Sequence, residues 1–336
     1  MCRQNRHSFD VPANRTWFSP RNELPLDAWV SLFEQVAPFR PWVYLTGGEP
    51  SLYPHFRELI REAKKRKLVV QLQTNGTTLT KHADFLVEMG LEAVTVSLDG
   101  TREIHDSVRG VPGTFARVEE GMKSLVEARQ RAKSAGPLLS FNFTISKANL
   151  DSLVDTVAYA IDMKMDFIQI QHTMHSSREI VARHNELFSQ ENAKALGLDV
   201  AVPSVCEDEY YVSELTEDDV RKIEKNLEEA RALAKGRIKL HSMPNIPSEL
   251  IPPYYLDLNY EFIEACDNFW KTLRVLADGT VSPCLNFVVG NIARQSFAEI
   301  WNGSQMNRLR ELFSKGLVPG CARCCQRHYC TAGRAF

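Results

Sequence analysis

From about residue 24 to residue 172 the sequence alternates helical stretches, apolar every third or fourth position, with short β-branched or aromatic runs. Regular exchange of these two periods is the mark of a parallel α/β sheet. Helices are expected over LPLDAWVSLFEQV, PHFRELIREAKKRK, TKHADFLVEMG, TFARVEEGMKSLVEARQRAKSAG and NLDSLVDTVAYAIDM. Strands are expected over PWVYLT, LVVQLQTNG, LEAVTVSLDG, LLSFNFTIS and DFIQIQH, which places five between Pro41 and His172. With a helix between each pair of strands, the crossovers are right-handed and the sheet curls.

Beyond Thr173 the order loosens. SELTEDDVRKIEKNLEEARALAKG reads as one long polar-faced helix and NIPSELIPPYY as a proline-rich connector. In TLRVLADGTVSPC, Asp-Gly lies between two alternating runs and predicts a β-hairpin, and SFAEIWNGSQMNRLRELFSKG reads as a helix. The expected organisation is a partial α/β barrel over 1–172, a linker and helical substrate-side region over 173–265, and a small hairpin-and-helix module over 266–336.

Charge narrows the partners. Lys+Arg 40 against Asp+Glu 42 leaves a formal charge of -2, with no broad attraction for nucleic acid or anionic lipid. A small molecule or peptide fits better. No apolar run approaches the roughly 20 residues that cross a bilayer, and the first residues carry no secretory pattern, so a cytoplasmic location is expected. Six of the eight cysteines (Cys266, Cys284, Cys321, Cys324, Cys325 and Cys330) crowd the last quarter, whereas Cys2 and Cys206 stand apart. Close-set thiols without a secretory signal are metal ligands more often than disulfides.

Ligands of a parallel α/β sheet gather at the carboxyl ends of its strands. There the sequence sets Gly47, Gly48 and Glu49 after the first strand, QTNG after the second, Ser97 and Asp99 after the third, and Arg109 twelve residues beyond Ser97. Glycines let main-chain groups approach a ligand. Glu49 can hold a cation, Arg109 a carboxylate through its planar fork, and Ser97 and Asp99 hydroxyls such as those of a ribose. A ligand with ammonium, carboxylate and ribose satisfies all of them, as S-adenosylmethionine does.

These residues resemble the radical SAM family, in which a Gly-Gly-Glu-Pro run, here Gly47 to Pro50, holds the methionine amino group. The resemblance implies that Ser97 meets the ribose and Arg109 the methionine carboxylate, within a partial (β/α)6-type barrel lacking its first strand. It also implies a [4Fe-4S] cluster held by CxxxCxxC. Of that motif the sequence has Cys2 alone, so the match begins mid-motif. A fragment or misplaced start codon is the expected explanation, beside a degenerate relative or a cluster ligated otherwise, with His7 a weak substitute. One thiolate does not hold a cubane, so the chain as written is expected to lack radical chemistry.

The C-terminal cysteines and GNIARQSFAEIWNG resemble the SPASM and shorter twitch domains, which hold auxiliary [4Fe-4S] clusters. The resemblance implies one such cluster on Cys266, Cys284, Cys321 and Cys324. Cys325 and Cys330 are alternative ligands, and a tetrahedral zinc site is the rival. Cys206 reads as an uninvolved thiol. The implied activity is that of an oxidoreductase or maturase that forms a 5′-deoxyadenosyl radical and abstracts hydrogen. Its substrate would be a peptide, protein or small molecule, and its electron donor a flavodoxin or ferredoxin. The competing reading is a non-catalytic S-adenosylmethionine- or zinc-binding protein. His172, His175 and His184 read as polar loop histidines, Gln169 and Gln171 as pocket residues alternating with core Ile168 and Ile170, and REAKKRK as a solvated face.

Overall fold

The computed structural model describes residues 23–173, 177–198, 215–257, 259–260, 265–284, 287–322 and 324. They fall into two units. Residues 25–172 and 221–242 form the first; residues 23–24, 173, 177–198, 215–220 and the described residues from 243 onward form the second.

Strands β1 (Trp42–Leu45), β2 (Val69–Thr74), β3 (Ala93–Ser97), β4 (Leu138–Thr144) and β5 (Phe167–Gln171) lie side by side in chain order, each pair parallel. Helices α1 (Leu26–Val36), α2 (Phe56–Lys65), α3 (Ala83–Glu88), α4 (Arg102–Arg109), α5 (Thr114–Arg131) and α6 (Leu153–Asp162) alternate with them. The expected strand–helix series is present. The helix α4 was not expected from the HDSVRG segment.

The strands alternate in burial although the sheet is parallel. Val70, Leu72, Val94, Val96, Leu139, Phe141, Phe143, Ile168 and Ile170 are at most 1% exposed and occupy alternate positions. The intervening positions are polar: Gln71, Gln73, Thr95, Ser97, Ser140, Asn142, Gln169 and Gln171. A parallel sheet buried on both faces reads as unbroken apolar runs. Here one face is the apolar core and the other a polar floor.

Beyond β5 the chain forms α7 (Arg178–Leu187), α8 (Gln190–Ala195) and the long α9 (Glu217–Ala234) before β6 (Lys239–Met243), which extends the sheet past β5. The five strands expected between Pro41 and His172 are all present, and β6 lies beyond them; residues 221–242, which the sequence reading set in the linker and helical region over 173–265, group with the sheet. Val220, Ile223, Leu227, Ala230 and Ala234 bury one stripe of α9, and Asn226 Nδ2 donates to the Leu150 carbonyl at 2.8 Å. The proline-rich connector contains a helix, α10 (Ile251–Leu256), entered through Pro252 and Pro253, positions where the missing amide costs nothing.

In the second unit, α11 (Asn268–Lys271) precedes β7 (Arg274–Val275) and β8 (Thr280–Ser282), which pair antiparallel around Asp278-Gly279; β9 (Gly290–Asn291) completes the sheet. The expected hairpin is present. The single helix expected after it is two, α12 (Phe297–Trp301) and α13 (Ser304–Lys315). A Cβ at Gly303 would lie 2.5 Å from the Glu299 carbonyl, so this junction tolerates only glycine. The core gathers Phe188, Phe269, Val281, Phe287, Ile300, Met306, Leu309 and Phe313. Among the described residues no helix is long and apolar enough to cross a membrane.

Two histidines expected in polar loops are buried. His172 is 1% exposed with Nε2 3.0 Å from Ser242 Oγ, and His184 is fully buried; His175 lies outside the described residues. Burial pushes His172 down to about 3 and His105 of α4 down to about 4, helped by neighbouring cationic Arg231 and Arg109 respectively. Such groups favour the fold fully above the unfolded value near 6.5, and that contribution is lost as pH falls toward the folded values. The urea midpoint is therefore expected to drop between pH 7.5 and 4.5, with a smaller drop in His172→Asn; equal drops would contradict it.

Candidate functional site

The rim at the carboxyl ends of β1 to β3 is built around Glu49. Its Oε1 accepts from Ser51 N at 3.2 Å, Ser51 Oγ at 2.6 Å and Thr74 Oγ1 at 2.7 Å, and its Oε2 accepts from Asn75 N at 2.7 Å. The carboxylate thus bridges the ends of β1 and β2. Two carboxylate oxygens offer about four acceptor positions. Oε1 is fully used, and Oε2 keeps capacity for one more donor.

Beside it, Gly47 takes φ +145°, a conformation that side chains avoid, and no heavy atom lies within 4 Å of where its Cβ would stand. Gly47 and Gly48 are both exposed. Space for a ligand therefore opens directly over this backbone.

Ser97 ends β3 and accepts from Gln73 Nε2 at 2.9 Å; Gln73 Oε1 accepts from the Tyr44 hydroxyl at 2.8 Å. This row across β1, β2 and β3 fixes the serine hydroxyl. A second row lies on β4 and β5, where Asn142 Oδ1 accepts from Gln169 Nε2 at 2.8 Å and Asn142 Nδ2 donates to Gln171 Oε1 at 3.3 Å. Thr95 and Ser140 hydroxyls meet at 2.8 Å below them. On β2 to β5 the described floor residues are neutral amides and hydroxyls.

Asp99 stands differently from the ribose contact that its position suggests. It is 3% exposed, and its Oδ2 lies 2.7 Å from Arg109 Nη2. His105 Nδ1 accepts the Asp99 amide at 3.1 Å. Asn149 Nδ2 donates to the Asp99 carbonyl at 3.0 Å and the Thr144 carbonyl at 2.9 Å, tying the ends of β3 and β4. The next residue, Asp106, accepts from Gly113 N at 2.6 Å and Phe115 N at 2.7 Å. These amides hold its carboxyl below the usual range, the Phe115 bond most strongly. HDSVRG is thus a bracket: His105 and Asp106 lock the turns on either side of α4, and Asp99 grips the guanidinium at its end. The sequence reading missed Tyr44, Asn142, His105 and Asn149, and it placed Gln73 and Thr74 at the rim within QTNG without assigning them a role. The signal available was polar residues at alternate positions of otherwise apolar strands.

The second set of residues belongs to the other unit. Cys266, Cys284 and Cys321 are half-buried and pack against the aromatic core of Phe188, Phe269, Phe287 and Phe313. Cys284 pairs with Phe287 in an antiparallel bridge. Cys321 and Cys324 share one turn, in which Cys324 N donates to the Cys321 carbonyl at 3.1 Å. Among the described residues no three His, Cys, Asp or Glu side chains stand close enough to share a single metal ion. Cys266, Cys284 and Cys321 border one aromatic core, and Cys324 follows one turn after Cys321. Cys2, His7, Cys206, Cys325 and Cys330 lie outside the described residues.

Buried polar atoms without a partner test whether these residues fit a further group, because buried polar atoms are nearly always paired. Among the described residues six such atoms occur. Asp99 Oδ2, which has only its ion pair, His105 Nε2 and Arg109 Nε lie at the rim. His184 Nε2, Asn185 Oδ1 and Asp267 Oδ1 lie in the cysteine-bearing unit. Asp267 adjoins Cys266, and His184 Nδ1 accepts from Gly320 N, next to Cys321, at 3.1 Å. The orphan atoms therefore fall at the two places whose chemistry calls for a bound group, and both sets of residues fit one.

Comparison with known proteins supports the same division. The family model described as the radical SAM superfamily matches residues 1–159, and one described as an iron-sulfur cluster-binding domain, SPASM, matches residues 266–325. AdoMet-dependent heme synthase of Methanosarcina barkeri is 28% identical over 331 residues, 94% of this chain and 84% of that protein. PqqA peptide cyclase of Ruegeria pomeroyi is 28% identical over 322 residues, 91% of this chain and 72% of that protein. Fe-coproporphyrin III synthase of M. barkeri is 29% identical, but the match covers only 53% of this chain and 43% of that protein. Among solved structures, SuiB of Streptococcus suis bound to its precursor peptide SuiA superposes with a TM-score of 0.59 at 14% identity, covering 87% of this chain and 61% of SuiB. That likeness is one of fold. The two matched domains imply S-adenosylmethionine and [4Fe-4S] clusters as cofactors and favour iron and sulfide over zinc.

Proposed function

The chain belongs to the radical SAM superfamily and carries a SPASM iron-sulfur domain, and on that premise we propose that it serves an S-adenosylmethionine-dependent hydrogen abstraction from a peptide. The observation that carries the reading is the rim, where a pinned carboxylate, an open glycine backbone, a fixed serine hydroxyl and a gripped guanidinium follow one another along β1 to β3. Glu49 Oε2 would accept the methionine ammonium, Arg109 would pair the methionine carboxylate, and Ser97 would meet the ribose. Asp99 is assigned to positioning Arg109 in place of a ribose contact.

When bound, a reduced cluster donating one electron to the sulfonium would release methionine and supply a 5′-deoxyadenosyl radical. The residues of this chain bind, orient and exclude water. The Glu49 carboxylate, the Ser97 hydroxyl and the Arg109 guanidinium each have a protein partner before any ligand binds, which keeps them oriented, while Arg109 Nε and His105 Nε2 remain without one among the described residues. Cys266, Cys284, Cys321 and Cys324 are assigned to an auxiliary cluster and Cys2 to the cluster at the rim. A flavodoxin or ferredoxin is the electron donor of this reading, and the reducing cytoplasm its compartment.

The amide row of Gln71, Gln73, Asn142, Gln169 and Gln171 on β2 to β5 supports a peptide, whose amides are matched by amide side chains. The heme synthase relative, similar over 94% of this chain, favours a second reading with a tetrapyrrole substrate. Propionate carboxylates would then need cationic partners outside the floor.

The test is anaerobic reconstitution to the iron and sulfide content of both clusters, in protein carrying the complete CxxxCxxC set of which Cys2 is one member, followed by incubation with S-adenosylmethionine, reductant and either a candidate precursor peptide or an iron porphyrin. 5′-Deoxyadenosine that rises with peptide supports the proposal; a rise with porphyrin alone transfers it to the second reading. Iron-loaded protein that forms none with either returns the chain to a non-catalytic S-adenosylmethionine-binding role.

A further inference from the structure

His184 lies on α7, 136 residues before the CxxC turn, and is wholly buried against it. Its Nδ1 accepts the Gly320 amide at 3.1 Å, immediately before Cys321. A neutral imidazole that accepts at Nδ1 carries its proton on Nε2. Burial pushes the ring down to about 4, which keeps it neutral near pH 7. The Nε2–H is therefore a donor, and it has no partner among the described residues.

Its surroundings contain the cysteines' neighbours. The ring lies 4.9 Å from Phe188 and 6.4 Å from Phe287 between centroids, and Phe287 forms the bridge with Cys284. His184 thus touches the residue before one thiol and the strand partner of another. Leaving a buried donor unpaired is costly, so a fold that retains one in this position has an acceptor for it elsewhere.

We infer that His184 is a positioning residue of the auxiliary cluster: it fixes the turn carrying Cys321 and Cys324 through the Gly320 amide and donates its Nε2–H to sulfur of the cluster. The inference rests on the reading of Cys266, Cys284, Cys321 and Cys324 as the ligands. A donor on cluster sulfur stabilises the more negative, reduced state and raises the reduction potential. The competing account of the same geometry is an N–H directed at an aromatic face, which leaves the potential unchanged.

The experiment is an EPR-monitored redox titration of the anaerobically reconstituted full chain, wild type beside His184→Phe and His184→Gln, with iron and sulfide measured first. Wild-type protein that binds no cluster at these cysteines overturns the ligand reading and this inference together. With clusters in place, the auxiliary signal is expected at a more negative potential in His184→Phe and to return part of the way in His184→Gln, whose amide restores a donor. An unchanged potential at full iron content overturns the inference while leaving the ligand reading intact. Where His184→Phe fails to fold or to hold iron, pulsed EPR on the reduced wild-type cluster with 15N-labelled histidine decides. A histidine nitrogen coupling supports the inference, and its absence overturns it.

Discussion

Asp99→Ala is expected to destabilise the ligand-free protein by about 3 kcal/mol, the low end of the cost of breaking a buried pair. Asp99 is 4% exposed in its side chain and Arg109 is 22% exposed, so removing the carboxylate leaves a largely buried guanidinium without its counter-charge. Ser97→Ala, which removes one hydrogen bond to Gln73, is expected to cost about 1 kcal/mol. Urea denaturation measures both. The contrast separates two roles for Asp99. A residue reserved for the ribose would be nearly silent in the absence of ligand, whereas one that holds Arg109 is felt in the fold itself. Asp99→Ala with wild-type stability would contradict the assignment.

Glu49→Gln is expected to weaken S-adenosylmethionine binding by about 10- to 100-fold, the equivalent of a charge-assisted hydrogen bond of about 1.5–3 kcal/mol. The substitution also replaces one accepting oxygen by an amide NH2, a donor that then faces either Asn75 N or the Ser51 and Thr74 hydroxyls, so part of the effect comes from a displaced β1 end. Thr74→Val isolates that part. It removes the hydroxyl that donates to Oε1 while preserving the negative charge, and it is expected to weaken binding several-fold less than Glu49→Gln. Equal losses in the two variants would place the effect in loop geometry and remove the ammonium from the account.

The parallel sheet was legible because each strand between Pro41 and His172 is flanked by a helix of clear period, and the core positions Val70, Val94, Phe141 and Ile168 alternate with polar partners. β6 was not legible. Lys239–Met243 is short, half-exposed and at the end of the sheet, so little apolar contrast remains to reveal it. The junction that splits α12 from α13 depends on a carbonyl beside Gly303, a contact that no periodicity encodes.

At the candidate site, the sequence supplied the chemistry of Glu49, Ser97 and Arg109 but not who holds whom. Asp99 and Arg109 lie ten positions apart, and their pairing follows from the turn into α4. The histidines show the same limit from the other side. His172 and His184 sit in polar stretches, and only tertiary packing, with Ser242 70 residues away and Gly320 136 residues away, makes them buried groups.

Isothermal titration of anaerobically reconstituted, iron-replete protein with S-adenosylmethionine tests the central claim most directly. Saturable binding with one molecule per chain, weakened in Glu49→Gln, is the predicted result. No heat above dilution, from protein whose iron and sulfide show its clusters intact, would contradict it.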